Sequence, residues 1–214
     1  MLPEEKVISF FILCNRLKDI VRTGWTRWHV NRERVESVAE HIYSTQMLAI
    51  AMKSEFNYDL DIKKVIYMLA IHEMEEILIG DLTPFEITRE EKQRLGHEAI
   101  EKVLSNLEDK EYIKSVIIEY DGRKTKEAYF AYQIDKLECD LQCKKYDEEG
   151  CVKIDIEKDE INVHDEEVLK LLKEGKRWSE MWITHGLNHT NYDDNFRKVL
   201  EYAKNNSILE LKQD

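Results

Sequence analysis

Turn-forming residues are scarce in this chain of 214 residues, which has 2 prolines and 7 glycines. β-Sandwiches and barrels need many of both at their turns, so the scarcity argues for long helices with few connections. Cysteine is sparse too. The 4 cysteines (Cys14, Cys139, Cys143 and Cys151) form no CxxC pair and are too irregularly spaced for a disulfide framework. Cys139 and Cys143 stand one helical turn apart and read as core thiols. A basic surplus is missing: the formal net charge is −12, which speaks against a partner made of phosphate backbone, so no nucleic acid is expected. A long apolar run is missing as well. The N-terminal one is about nine residues, too short for a membrane span, with acids in front of it and no cleavage site behind. These absences predict a reduced, cytoplasmic, soluble, all-α protein with no membrane partner.

Hydrophobic residues make up 43% of the chain and charged ones 36%, enough for a sizeable core under solvated helix faces. From Glu4 to Val21 an amphipathic helix is expected, with Val7, Ile8, Phe11, Ile12 and Ile20 near one face. Ser37-Val38-Ala39-Glu40 is a capping box that starts a helix to about Ser54, with His41 in its first turn. Asp61 caps the next helix, Ile62 to Ile79, where Val65, Leu69, His72 and Glu76 share the inward stripe. Gly80 stops that helix and leaves Asp81 in a loop ending at Pro84. Thr88 to Glu91 is a second capping box, opening a helix to about Leu107. Helices over 109–120 and 125–146 follow, the latter carrying Asp135. Val152, Ile154 and Ile156 alternate with polar residues and predict a short strand. Helices are expected over 165–174 and 195–205, with 177–194 unassigned. The organisation expected is one domain over 1–147 and a small, partly irregular C-terminal appendage over 148–214, packed on it.

The stretch Ile71 to Asp81 is unusual. It sets His72, Glu73, Glu75 and Glu76 into the pattern of a buried helix, with Asp81 just past its stop, and unpaired charge in a core costs several kcal/mol. Either the helix is half exposed or a cation compensates it, and a metal ion is the preferred reading. The zincin pattern HExxH fails, because position 76 is glutamate. The di-iron pattern fails too, because Val38, Leu69 and Arg94 stand three residues before His41, His72 and His97. Glu75 is expected to face solvent. His185 and His189 have i, i+4 spacing, but Gly186 and Asn188 weaken a helix there, so a second metal site is disfavoured. The basic, aromatic segment Arg22 to Arg34 has two readings: a solvated connector whose tryptophans plug the core, or the edge of a pocket for an anion and a base.

Three blocks in order, Glu36-Ser37-Val38-Ala39-Glu40-His41, His72-Glu73-Met74-Glu75-Glu76 with Gly80-Asp81-Leu82-Thr83-Pro84, and Gln133-Ile134-Asp135-Lys136, resemble the HD-domain metal-dependent phosphohydrolases. Within them the chain is similar to the 5′-deoxynucleotidase branch. The resemblance covers roughly residues 5 to 147 and implies an all-α HD-domain helical bundle. It implies one divalent transition metal (Zn, Mn, Co or Fe) held by His41, His72, Glu73 and Asp135, with Glu73 standing where the family has aspartate. It gives Glu76 and Asp81 roles beside the attacking water. It places Trp25 for stacking and Arg22 or Arg27 for phosphate. It further implies a phosphorylated small-molecule substrate, a (deoxy)nucleoside 5′-monophosphate, and a homodimer. The alternatives are an HD phosphohydrolase for another nucleotide, a triphosphate or a signalling nucleotide, and a non-catalytic metal- or nucleotide-binding protein.

Overall fold

Several helix starts follow the capping chemistry. A computed structural model describes residues 1–83, 86–155 and 165–211. Among these the chain is all-α, and the β-pairing present is one isolated antiparallel bridge between Val21 and Ser37. The chain forms two compact units: Met1–Gly24 with Glu36–Tyr132, and Trp25–Val35 with Gln133–Asp214.

The first unit opens with α1 (Pro3–Cys14), shorter than expected, followed by a 3-10 turn over Asn15–Lys18. The Asn15 side-chain Nδ2 donates to the Phe11 carbonyl at 2.7 Å and helps close α1. Helix α2 (Thr23–Arg27) starts in the first unit and ends in the second. Helix α3 (Val38–Phe56) carries the expected capping box: Ser37 Oγ accepts from the Glu40 amide, and the Ser37 amide donates to the Glu40 carboxylate. Helix α4 (Ile62–Ile71) is capped by Asp61 Oδ1, which accepts from the Lys63 and Lys64 amides; such a cap is worth about 1 kcal/mol.

The single helix expected over Ile62–Ile79 is broken. His72 to Glu75 form a turn, and α5 (Glu76–Ile79) follows. In the turn the Met74 and Glu76 amides reach back three residues, to the Ile71 and Glu73 carbonyls, which tightens the backbone. Helix α6 (Arg89–Val103) ends before Leu107, and α7 (Lys110–Gly122) and α8 (Lys126–Glu148) follow. Helix α3 packs on α4, α4 on α7 and α5 on α6. Val65, Met68, Leu69 and Leu104 are fully buried in the first unit. Pro84, the end of the Asp81 loop in the sequence reading, lies outside the described residues.

The second unit contains the later turns of α8, α9 (Glu166–Lys173), α10 (Trp178–His189) and α11 (Asp194–Asn205). Helix α10 occupies the stretch left unassigned, and it packs on α9 and α11. Its Gly186 has a packing reason: a Cβ there would lie 2.9 Å from Asp140 Oδ2. All 4 tryptophans of the chain meet in this unit. Trp25 and Trp28 each meet Trp178 and Trp182, which also meet each other, at ring-centroid distances of 5.4–6.3 Å, and Tyr146 meets Trp25 edge-on. The strand expected at Val152 and Ile154 is not formed over 151–155; both side chains pack instead on this cluster. Ile156 lies outside the described residues. No helix among the described residues is long and apolar enough to cross a membrane.

Candidate metal centre

The turn after α4 presents two adjacent donors from one short segment. His72 sits at the C-cap of α4 and is buried. Its ring contacts Tyr120 edge-on at 5.4 Å, and its Nδ1 lies 2.8 Å from the Leu69 carbonyl. A carbonyl can only accept, so Nδ1 carries the proton and Nε2 is left with the lone pair. His41 projects from the first turn of α3 and is fully buried.

Glu73 joins the two imidazoles. Its Oε1 lies 3.7 Å from His72 Nε2 and 3.9 Å from His41 Nε2, and the ring centroids are 5.5 Å apart. One donor atom from each residue falls within 4.8 Å of the others. These separations are too long for hydrogen bonds. They lie a little above the roughly 3.0–3.4 Å expected between donors bound ~2.1 Å from one ion, so a small inward adjustment seats a cation. Two imidazoles and a carboxylate are a borderline donor set that suits Zn²⁺, Mn²⁺, Fe²⁺ or Co²⁺. The extra methylene of Glu73 therefore does not stop it reaching both histidines. Asp135, on α8, belongs to the second unit; it is buried, with Oδ2 2.9 Å from the Lys136 ammonium.

The carboxylates beside this group differ in their surroundings. Glu76 is fully buried at the start of α5. Its Oε1 accepts from Lys92 Nζ at 3.2 Å, while Oε2 has no hydrogen-bond partner among the described residues. Burial, then the Glu73 and Asp81 charges, push the Glu76 carboxyl well above its ordinary range; Lys92 and Arg22 act against this. Glu75 does not face solvent as expected. It is half-buried, with Cγ 3.3 Å from where a Cβ at Gly96 would stand, and burial with the Glu73 charge raises its carboxyl to about 8. The break in the helix turns it toward α6.

Arg22 brings a cation to the same place. Its guanidinium lies 3.4 Å from Glu73 Oε1 and 3.6 Å from Asp81 Oδ1. Asp81 is tied to the same segment: Oδ2 accepts from the Thr23 amide at 2.7 Å, and its carbonyl accepts from Thr23 Oγ1 at 2.6 Å. Trp25, expected to stack on a base, is instead a core residue of the second unit. It is 2% exposed, and its ring is occupied by Tyr146, Trp178 and Trp182. Arg27 is half-buried in that unit. Lys92 and Thr23 are the site residues that pattern reading missed. A cation in the first turn of α6 and a threonine before a glycine carry no signal of their own, and only folding sets them against Glu76 and Asp81. His97 pairs with Asp121 at 3.0 Å.

Comparison with known proteins bears on this arrangement. The family model for the HD domain matches residues 14–186. The 5′-deoxynucleotidase HDDC2 of Dictyostelium discoideum is 34% identical over 150 residues, covering 66% of this chain and 78% of the relative. The human 5′-deoxynucleotidase HDDC2 is 30% identical over 145 residues, covering 66% and 69%. The crystal structure of a Pyrococcus horikoshii protein superposes with a TM-score of 0.66 at 19% identity, covering 92% of this chain and 98% of that one; at that identity the likeness concerns the fold.

Proposed function

The chain belongs to the HD-domain family, and from that premise we propose that it is a metal-dependent phosphohydrolase releasing phosphate from deoxynucleoside 5′-monophosphates. The observation that carries this reading is the convergence of His41, His72 and Glu73 beside the Arg22 guanidinium. In this reading residues 1–147 carry the phosphohydrolase domain and 148–214 an appendage, and the protein works in the cytoplasm as a homodimer, without nucleic-acid or membrane partners. His41, His72, Glu73 and Asp135 hold one divalent transition metal. When bound, such an ion polarises a phosphoryl group and acidifies water.

The remaining chemistry falls to the chain's own groups. Glu76 accepts the proton of the attacking water at Oε2, while Lys92 steadies Oε1. Its raised proton affinity comes first from burial and then from the Glu73 and Asp81 charges. A cation that offsets the Glu73 charge lowers this proton affinity, while burial continues to raise it. Arg22 binds the phosphate, with Arg27 as a second cation on the segment. Asp81 fixes the Arg22–Thr23 backbone and shares proton handling at the leaving oxygen. No role is assigned to Trp25.

Metal-loaded protein incubated with a panel of nucleoside mono-, di- and triphosphates is expected to release inorganic phosphate from deoxynucleoside monophosphates. Release of pyrophosphate or triphosphate would replace this substrate class, and no turnover of any member would remove the enzyme reading. His72→Ala is expected to lose the bound metal equivalent and the activity together. Glu76→Gln is expected to keep the metal while kcat falls by about 10²–10⁴; an unchanged kcat would take Glu76 out of the mechanism.

A further inference from the structure

A second cluster of metal-ligating side chains lies in the second unit. Helix α10 carries His185 and His189 one turn apart on one face. Their rings are 4.3 Å apart and tilted by 32°. The start of α9 faces them with two carboxylates, one from its N-cap residue and one from its first turn. Glu167 Oε2 lies 2.6 Å from His189 Nε2, and Asp165 Oδ2 lies 3.6 Å from His185 Nε2. Each acid has its other oxygen anchored: Glu167 Oε1 accepts from Asn188 Nδ2 at 2.5 Å, and Asp165 Oδ1 caps α9 through the Glu167 and Val168 backbone amides. Both imidazoles thus present Nε2 to an acidic helix start, and one donor atom each from Glu167, His185 and His189 lies within 4.8 Å of the others.

We propose that Glu167, His185 and His189 form a second divalent-metal site, of zinc type, with Asp165 as the nearby second carboxylate. Two histidines at i, i+4 on one helix hold one ion from a single face, and a carboxylate from another element completes a three-donor set with coordination positions left for water. Imidazole and carboxylate together favour Zn²⁺ over Mg²⁺ or Ca²⁺. His185 and Glu167 are half-buried and His189 is exposed, so the ion exchanges with solvent. Its effect is to clamp α9 to α10. The site shares no residue with the proposed catalytic centre, so either can fail without the other.

The test uses the full chain stripped with a chelator and titrated with Zn²⁺ by calorimetry, with elemental analysis after dialysis. Wild-type protein is expected to hold one equivalent more than the His185→Asn/His189→Asn double variant. Glu167→Gln is expected to weaken that equivalent about tenfold or more, with nucleotide hydrolysis unchanged in both variants. Equal stoichiometry and affinity in wild type and double variant would overturn the site. Should the double variant fail to fold, the imidazole proton resonances of wild type are followed as Zn²⁺ is added. Movement of both His185 and His189 supports the site, and their constancy overturns it.

Discussion

At the scale of single residues, the same side-chain type does different work in different surroundings. Glu73 touches two imidazoles and a guanidinium, Glu76 is fully buried against an ammonium, and Glu75 packs near Gly96. Asp140 is a further case, in the second unit. It is buried, with Oδ2 accepting from the Tyr192 hydroxyl at 2.8 Å, and burial raises its carboxyl to about 7 despite Tyr192, Trp182 and Lys136. An unfolded aspartate ionises near ~3.9. The native state therefore holds this proton more tightly than the unfolded one. Its contribution to stability is complete below about pH 4 and is lost as pH rises through about 7. The stability of the metal-free protein to urea is expected to decline between those values, with Glu75 and Glu76 contributing in the same direction, and Asp140→Asn to make the decline smaller. A decline of the same size in the variant would assign it to another group.

At the scale of elements, tertiary contact overrode local pattern in two places. Apolar periodicity runs unbroken from Ile62 to Ile79, yet the backbone tightens at His72–Glu75. A continuous helix would leave Glu73 about 100° round from His72, whereas the turn lets both meet His41. Conversely, Gly186 and Asn188 read as helix breakers, yet α10 runs through them. Alanine is about 1 kcal/mol better than glycine inside a helix, but a Cβ at 186 meets Asp140 Oδ2 at 2.9 Å and Oδ1 at 3.2 Å. The same Oδ2 accepts from the Tyr192 hydroxyl, so moving Asp140 aside would strain that bond. Gly186→Ala is therefore expected to destabilise the protein by a net ~1 kcal/mol, read as a lower urea midpoint. A stabilised variant would show that Asp140 yields.

At the scale of the whole molecule, the face of α1 stands out. Its apolar row was legible in the sequence, yet Val7, Ile8, Phe11 and Ile12 are 60–65% exposed in the single chain. The homodimer proposed above gives this face a partner. Wild-type protein is then expected to sediment at twice the 25.6 kDa chain mass, and Phe11→Glu to shift it to the monomer at micromolar concentration. A wild-type monomer under the same conditions would remove the dimer, and an unshifted variant would place the contact elsewhere.

Composition, capping residues and helical periodicity determined the all-α class and most helix starts, because these depend on local backbone bonding and on which residues tolerate burial. Ser37, Asp61, Thr88, Asp165 and Asp193 each accept from amides at a helix start as local chemistry requires. Motif order likewise singled out His41, His72 and Glu73. Only the tertiary structure decided that Trp25 is core, that Lys92 and Thr23 brace Glu76 and Asp81, and that His185 and His189 face Glu167 and Asp165. Each of these depends on which distant segment supplies the neighbour. Such pairing is fixed by packing between elements, and no local stretch of residues encodes it.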